Sequence, residues 1–452
     1  MEVLQDNIAV AEEIKKNTNY ENQHDGKEEN IKIPNKKSNH TRLENRKIVA
    51  EDKEWNLFPI KKLSELCITS IVKHFANCPV LNGLPRKFRK IVLNNVNVES
   101  VPLEMAALMI PDEEYWKRVS ISKWSICDVS KHGGSWKRLF FENYIKELIE
   151  NFIPGKSVHE EISKTLGICQ DWVISLNVEQ LQIRKGDFSE LKSDHLELDL
   201  VLKSLPKLES LQITYGIKNC GMDFAWNLYG CSITDCKYIA NSLKNCFKLN
   251  ELSVRQSLIE DAHLRMIVSG LLENNTIKRI DFSHNKIANE GIRALAHYLS
   301  KNNCQVSYLN LSNNLIGPLG AKYLAESLIK NERLEHLNIG MNGIRNEGFN
   351  EIMDSLNENS NLRELIVTGN GLDSEGCMDA TSRFLRTNCA LVKLDISANN
   401  FDSEFGKAII ESLKRNKTLR KIDLRQCGIN ADQLNAICYV LGQNNNEPEF
   451  DK

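Results

Sequence analysis

The sequence predicts an α/β solenoid, a leucine-rich repeat horseshoe with parallel strands on its concave face and helices on its convex face. Three observations predict it. Leu249, Ile277, Val306, Leu334, Leu362, Leu391 and Leu419 follow one another at intervals of 28, 29, 28, 28, 29 and 28 residues. Each opens the pattern L-x-x-L-x-L-x-x-N-x-L, clearest in Val306-Ser-Tyr-Leu309-Asn-Leu311-Ser-Asn-Asn314-Leu-Ile316. The rest of each period carries apolar residues at helical spacing, and a unit of this length holds one strand and one helix.

The strand comes first in each unit. Around Leu309 and Leu311 apolar and polar residues alternate, so the leucines point to one side and Tyr308, Asn310 and Ser312 to the other. Asn285, Asn314, Asn342, Asn370 and Asn399 recur at the turn that follows, where a buried amide bonds backbone groups left unpaired by the turning chain. Ser257 and Cys427 hold that position in the outer repeats, as suits atypical ends. The helix comes next. Ile292, Leu295, Ala296 and Leu299 lie at i, i+3, i+4 and i+7, and polar runs such as Lys301-Asn302-Asn303 stop it. No unit buries its own leucines, so each depends on its neighbours.

This register lays out the concave face. Its central column reads Ser253, Asp281, Asn310, Asn338, Ile366, Asp395 and Asp423, beside Glu251, Arg279, Tyr308, His336, Glu364, Lys393 and Lys421. Tyr308 is its only aromatic residue, so no ladder of aromatic anchors is offered. The candidate partner-binding residues here are Tyr308, His336, Asp281, Asn310, Asn338, Asp395 and Asp423. Two readings stand side by side: the polar column keeps the strands solvated, or it grips a helix or extended segment of a partner.

The expected organisation before and after the repeats has five parts. Residues 1–55 are Lys-, Glu- and Asn-rich and predict a disordered tail. Residues 56–200 predict an irregular mixed α/β domain, with degenerate repeat strands at Phe88–Val98 and Trp116–Trp124 and a helix around Trp136–Ile149. Residues 201–248 form a divergent repeat with an aromatic insertion, Gly221-Met-Asp-Phe224-Ala-Trp226, expected as a cap over the first regular repeat or as a partner contact. Regular repeats fill 249–445, and 446–452 are a tail. Trp136 and Trp226 join the candidate contact residues because they cluster outside the regular period.

Charge and motifs narrow the function. A net charge of −2 gives no global attraction to nucleic acid or acidic membranes, and no apolar run reaches membrane-spanning length. The absence of a signal peptide and the thirteen scattered cysteines predict a reducing intracellular compartment. Cys220, Cys231, Cys236 and Cys246 match no zinc spacing and read as packed thiols. Gly155-Lys156-Ser157 imitates a phosphate loop, but Glu150 stands where the first glycine is needed. No catalytic motif, metal site or cofactor site is expected, nor a small-molecule substrate.

Three strings lie outside the regular repeats: Pro111-Asp-Glu-Glu-Tyr115-Trp116-Lys-Arg118, His132-Gly-Gly-Ser-Trp136-Lys-Arg-Leu-Phe-Phe141-Glu142, and Gly221-Met-Asp-Phe224-Ala-Trp226-Asn-Leu228. By these strings the chain resembles the dynein regulatory complex subunit 5 family, from about Leu57 to Leu441. The spacer within Tyr215-Gly-Ile-Lys-Asn-Cys-Gly221 departs from that pattern. The resemblance implies a non-catalytic scaffold of the nexin–dynein regulatory complex, in the axoneme of motile cilia and flagella, including those of sperm. It implies other subunits of that complex as partners, with doublet microtubule or dynein components as further candidates. Two rival readings are a Ran-type GTPase-activating protein, whose acidic tail is missing here, and a ubiquitin-ligase substrate receptor.

Overall fold

The computed structural model describes residues 62–154, 157, 159–183, 195–223 and 228–445. The chain divides into two units, Met1–Leu66 and Cys67–Lys452. Of the first, residues 62–66 are described, and the tails expected over 1–55 and 446–452 lie outside the described residues.

Among the described residues six α-helices come before the first strand: α1 (Leu63–His74), α2 (Arg86–Asn95), α3 (Leu103–Met109), α4 (Glu113–Lys123), α5 (Trp136–Asn151) and α6 (His159–Cys169). Strand and helix then alternate through β1 (Ser175–Val178), α7 (Leu198–Lys203), β2 (Ser210–Ile213), α8 (Ile233–Asn245), β3 (Glu251–Val254), α9 (Asp261–Leu271), β4 (Arg279–Asp281) and α10 (Asn289–Leu299). The second half continues with β5 (Tyr308–Asn310), α11 (Pro318–Lys330), β6 (His336–Asn338), α12 (Arg345–Ser355), β7 (Glu364–Ile366) and α13 (Ser374–Thr387). It closes with β8 (Lys393–Asp395), α14 (Ser403–Leu413), β9 (Lys421–Asp423) and α15 (Ala431–Asn445). Among the described residues the strands form one nine-stranded sheet in sequence order, every neighbouring pair parallel. Ile280, Leu309, Leu337, Leu365 and Leu394 face one another across it and are buried. This is the leucine-rich repeat solenoid.

The two segments expected as degenerate strands are helices, α2 and α4. Val92, Leu93 and Val96 fall on one helical face and are buried, which a strand's alternation could not achieve. Asp112 starts α4 by accepting the Tyr115 N–H at 3.0 Å, and Glu113 and Glu114 suit the positive end of that helix. The region before β1 is therefore helical among the described residues. The sheet also begins earlier than the regular repeats, because β1 and β2 precede the strand of the first one, β3.

An aromatic core holds the helical region together. Trp116 is fully buried, with the rings of Phe140 and Phe141 each 5.1 Å away, and its indole N–H donates to the Ile110 carbonyl at 2.8 Å. Lys137 is buried beside it. Its ammonium donates to the carbonyls of Ala107 (2.7 Å) and Ile110 (3.2 Å) at the end of α3, 4.3 Å from the Trp172 ring. Burial lowers its pKa, while nearby Glu113 pulls it back up.

The same region closes one edge of the sheet. A parallel strand without a neighbour leaves N–H groups pointing into nothing, a state proteins avoid. Here two carboxylates on α5 replace the missing strand. Glu142 Oε1 accepts the N–H groups of Ile174 (2.9 Å) and Ser175 (2.7 Å), and Glu150 Oε1 accepts that of Glu179 (2.7 Å). Burial raises the Glu150 pKa, opposed by Lys146 and Lys218. Glu142 is held in turn by Arg138 Nε at 2.7 Å and by His132 Nδ1.

Asparagines tie the repeats to one another. Asn370 donates to the carbonyls of Val367 (3.0 Å) in its own repeat and Ile339 (3.1 Å) in the previous one, and accepts the Asn342 N–H at 3.2 Å. Asn285, Asn314, Asn342 and Asn399 repeat that bridging geometry. The preceding residue supplies the turn in left-handed backbone, as at His284 (φ 59°), Met341 (φ 54°) and Ala398 (φ 53°). We expect Asn370→Ala to cost roughly 1–3 kcal/mol by stranding those backbone groups. An unchanged urea midpoint would remove the ladder from the list of stabilising features.

A second ladder lies where the helix returns to the strand. Asn331 donates to Leu299 O at 2.7 Å and accepts the Leu334 N–H at 2.7 Å, and Asn274, Asn359 and Asn416 do the same in their own repeats. Sequence reading takes these residues for mere helix stoppers.

Helices pack closely enough to need glycine at Gly270, where a Cβ would lie 2.4 Å from the Ala240 carbonyl oxygen. Alanine gains about 1 kcal/mol of helix propensity over glycine. We nevertheless expect Gly270→Ala to lower stability by about 1–3 kcal/mol, because the obstacle is backbone. A melting temperature at or above the parent's would contradict this close packing of α8 and α9.

Candidate partner-binding face

The residues expected to line the concave face do share one side of β3–β9. Strand register places Glu251, Arg279, Tyr308, His336, Glu364, Lys393 and Lys421 in one row, and Ser253, Asp281, Asn310, Asn338, Ile366, Asp395 and Asp423 in the next. Opposite charges meet at two places along the first row, Glu251 with Arg279 and Glu364 with Lys393. The Arg279 guanidinium lies 4.0 Å above the Tyr308 ring, with Glu251 at 4.0 Å on its other side. His336 Nδ1 meets Glu364 at 3.1 Å, and the same carboxylate meets Lys393 at 3.5 Å. Burial raises the Tyr308 pKa; Asp281 adds to the rise, and Arg279 opposes it. Such half-exposed pairs contribute about 0–1 kcal/mol each, so they fix side-chain positions more than stability.

The second row has a structural duty that sequence alone did not reveal. Each acidic or amide side chain accepts the backbone N–H two residues ahead: Asp281 from Ser283 (2.9 Å), Asn310 from Ser312 (3.1 Å), Asn338 from Gly340 (3.0 Å), Asp395 from Ser397 (3.0 Å) and Asp423 from Arg425 (3.1 Å). Asp and Asn make this local bond well, which accounts for the residue types without any partner. Arg425 also holds both Asp423 oxygens, at 2.9 and 3.0 Å, and keeps that carboxyl below its usual range. Ile366 breaks the row. Over it lies a pit of about 90 Å³, walled by Glu364, Lys393, Asp395, Lys421 and Asp423.

Two further candidates fall elsewhere. Trp136 opens α5, partly buried against the helical core, with its backbone N–H donated to Glu113 and the Lys117 ammonium 5.8 Å from its ring. Trp226 lies outside the described residues. The concave face therefore carries seven of the nine candidates, and Trp136 is not among its strands. Of the weighed cysteines, Cys231 and Cys236 are buried with their sulfurs 3.6 Å apart. Among the described residues no three His, Cys, Asp or Glu side chains are grouped to hold a metal ion, and no helix is long and apolar enough to cross a membrane.

A family model described as Leucine Rich repeat matches residues 273–296, 302–325, 330–352 and 358–379. Dynein regulatory complex subunit 5 of Mus musculus is 38% identical over 268 residues, covering 56% of this chain and 54% of the relative. The protein of that name in Chlamydomonas reinhardtii is 31% identical over 208 residues, covering 46% and 50%. The chain is homologous to dynein regulatory complex subunit 5. It spans about half the length of the curated relatives it matches. Among solved structures, an internalin from Listeria monocytogenes aligns at a TM-score of 0.35 and 18% identity, covering 60% of this chain and 67% of the internalin.

Proposed function

We infer that this chain is a non-catalytic scaffold subunit of the nexin–dynein regulatory complex, in the axoneme of motile cilia and flagella, including those of sperm. It binds other subunits of that complex and helps regulate dynein-driven sliding, with doublet microtubule or dynein components as further contacts. The observation that carries the reading is homology to proteins named as dynein regulatory complex subunits in both a mammal and an alga. The names favour it over a Ran-type GTPase-activating protein or a ligase receptor. The concave face supports it physically. Its polar side chains are fixed by their own strands and neighbours before any partner arrives, which reduces the ordering a partner must impose. On this reading Tyr308, His336, Asp281, Asn310, Asn338, Asp395 and Asp423 line the contact.

Fractionating ciliated cells tests it. The tagged chain should pellet with axonemes and leave them together with other subunits of the complex at high salt. Recovery in the detergent-soluble fraction alone would overturn the assignment.

A further inference from the structure

From residue 66 to residue 98 the chain contains no Asp or Glu, yet it holds Lys73, Arg86, Lys87, Arg89 and Lys90. Four of these stand on α2, all exposed. The C-terminal half of that helix is fixed: Val92 and Leu93 are buried, and Arg118 donates to the carbonyls of Leu93 and Val96 at 2.7 Å each. Packing thus anchors the C-terminal half, and the N-terminal turns carry the four cations into solvent. Arg86 and Lys90 are one turn apart, as are Lys87 and Lys90, so like charges crowd together and oppose the helix. Elsewhere on the surface Lys123, Lys203, Lys244 and Arg383 each meet a carboxylate. None of the four cations on α2 forms an ion pair among the described residues.

We propose that the exposed N-terminal turns of α2, which carry Arg86, Lys87, Arg89 and Lys90, are a docking surface for an acidic, glutamate-rich polypeptide segment. The dimensions favour a peptide. The cluster runs about 6 Å along the helix, close to two residues of extended chain at ~3.3 Å each, so neighbouring carboxylates can meet successive cations. A nucleic acid would want an aromatic stacking platform, and Phe88, the only ring on this helix, is half-buried. A membrane would want exposed apolar anchors between the cations, and α2 presents none. The inference does not depend on the axonemal reading.

The test uses the full chain and a synthetic octaglutamate peptide labelled for fluorescence anisotropy. An octaglutamine peptide, a single-stranded oligonucleotide and anionic phosphatidylserine vesicles serve as comparators. Octaglutamate should bind, weaken as salt rises from about 0.02 M to about 0.3 M, and lose roughly tenfold or more in affinity for the triple variant R86Q/K87Q/K90Q. The same variant should melt with the parent, since the three side chains are exposed and have no carboxylate partner among the described residues. A control change at Lys322, on the far helix α11, should leave binding intact. The proposal fails if octaglutamate does not bind, if the triple variant binds like the parent, or if the oligonucleotide or vesicles bind more tightly than the peptide.

Discussion

Glu142→Ala is expected to lower stability by about 3–5 kcal/mol, the range for stripping one partner from a buried charged network. The side chain is only 2% exposed and touches both Arg138 and His132 while capping the Ile174 and Ser175 N–H groups at the start of β1. Removing it leaves the Arg138 guanidinium without its carboxylate and reopens the sheet edge. The expected signature is local as well as global: amide protons of Ile174 and Ser175 should exchange faster than those of β4 or β5. Glu142→Gln keeps one acceptor oxygen and should lose less. An unchanged denaturation midpoint with protected Ile174 and Ser175 amides would mean that α5 does not close the sheet.

Trp116→Ala is the second large effect, also about 3–5 kcal/mol, from cavity formation around a fully buried aromatic. The change empties the space against Phe140 and Phe141 and removes the indole donor from the Ile110 carbonyl, which keeps its bond from Lys137. Trp136→Ala should stay within about 1 kcal/mol, since that ring is only partly covered. Paired urea titrations decide the matter. Equal losses for the two variants would contradict the placement of Trp116 as the anchor and Trp136 as a peripheral ring.

Some of this architecture was readable in advance. The leucine register gave the sheet and its row order, because a period of two on one strand and a repeat of fixed length leave little freedom. The turn asparagines were readable too, although that each reaches back to the preceding repeat was not. The region before β1 misled for a physical reason. Short apolar runs such as Ile91-Val-Leu93 and Val119-Ser-Ile121 suit strand and helix alike, and their buried partners sit on other helices. Glu142 and Glu150 look like ordinary solvated charges in α5, since the strand they cap lies some thirty residues further on. The concave candidates were placed correctly on one face. What sequence could not separate was contact chemistry from the local bond that Asp281, Asn310, Asn338, Asp395 and Asp423 each make to their own turns.

The two asparagine ladders also govern where length can change. Asn274 to Asn285, Asn331 to Asn342 and Asn359 to Asn370 are each separated by eleven positions. So are Asn303 to Asn314 and Asn388 to Asn399, where, among the described residues, the Asn303 side chain keeps only the bond back to Leu272 and that of Asn388 bonds only within its own repeat. The alternation between 28 and 29 residues falls wholly on the helical arc, where Asn285 to Asn303 spans eighteen positions and Asn314 to Asn331 seventeen. An arc clamped at both ends by side-chain bonds has no slack for an inserted residue. The convex arc has, and there an insertion or deletion leaves the register of every strand untouched. Lineages are therefore free to vary the outside of this protein by single residues, and its inside only by whole repeats.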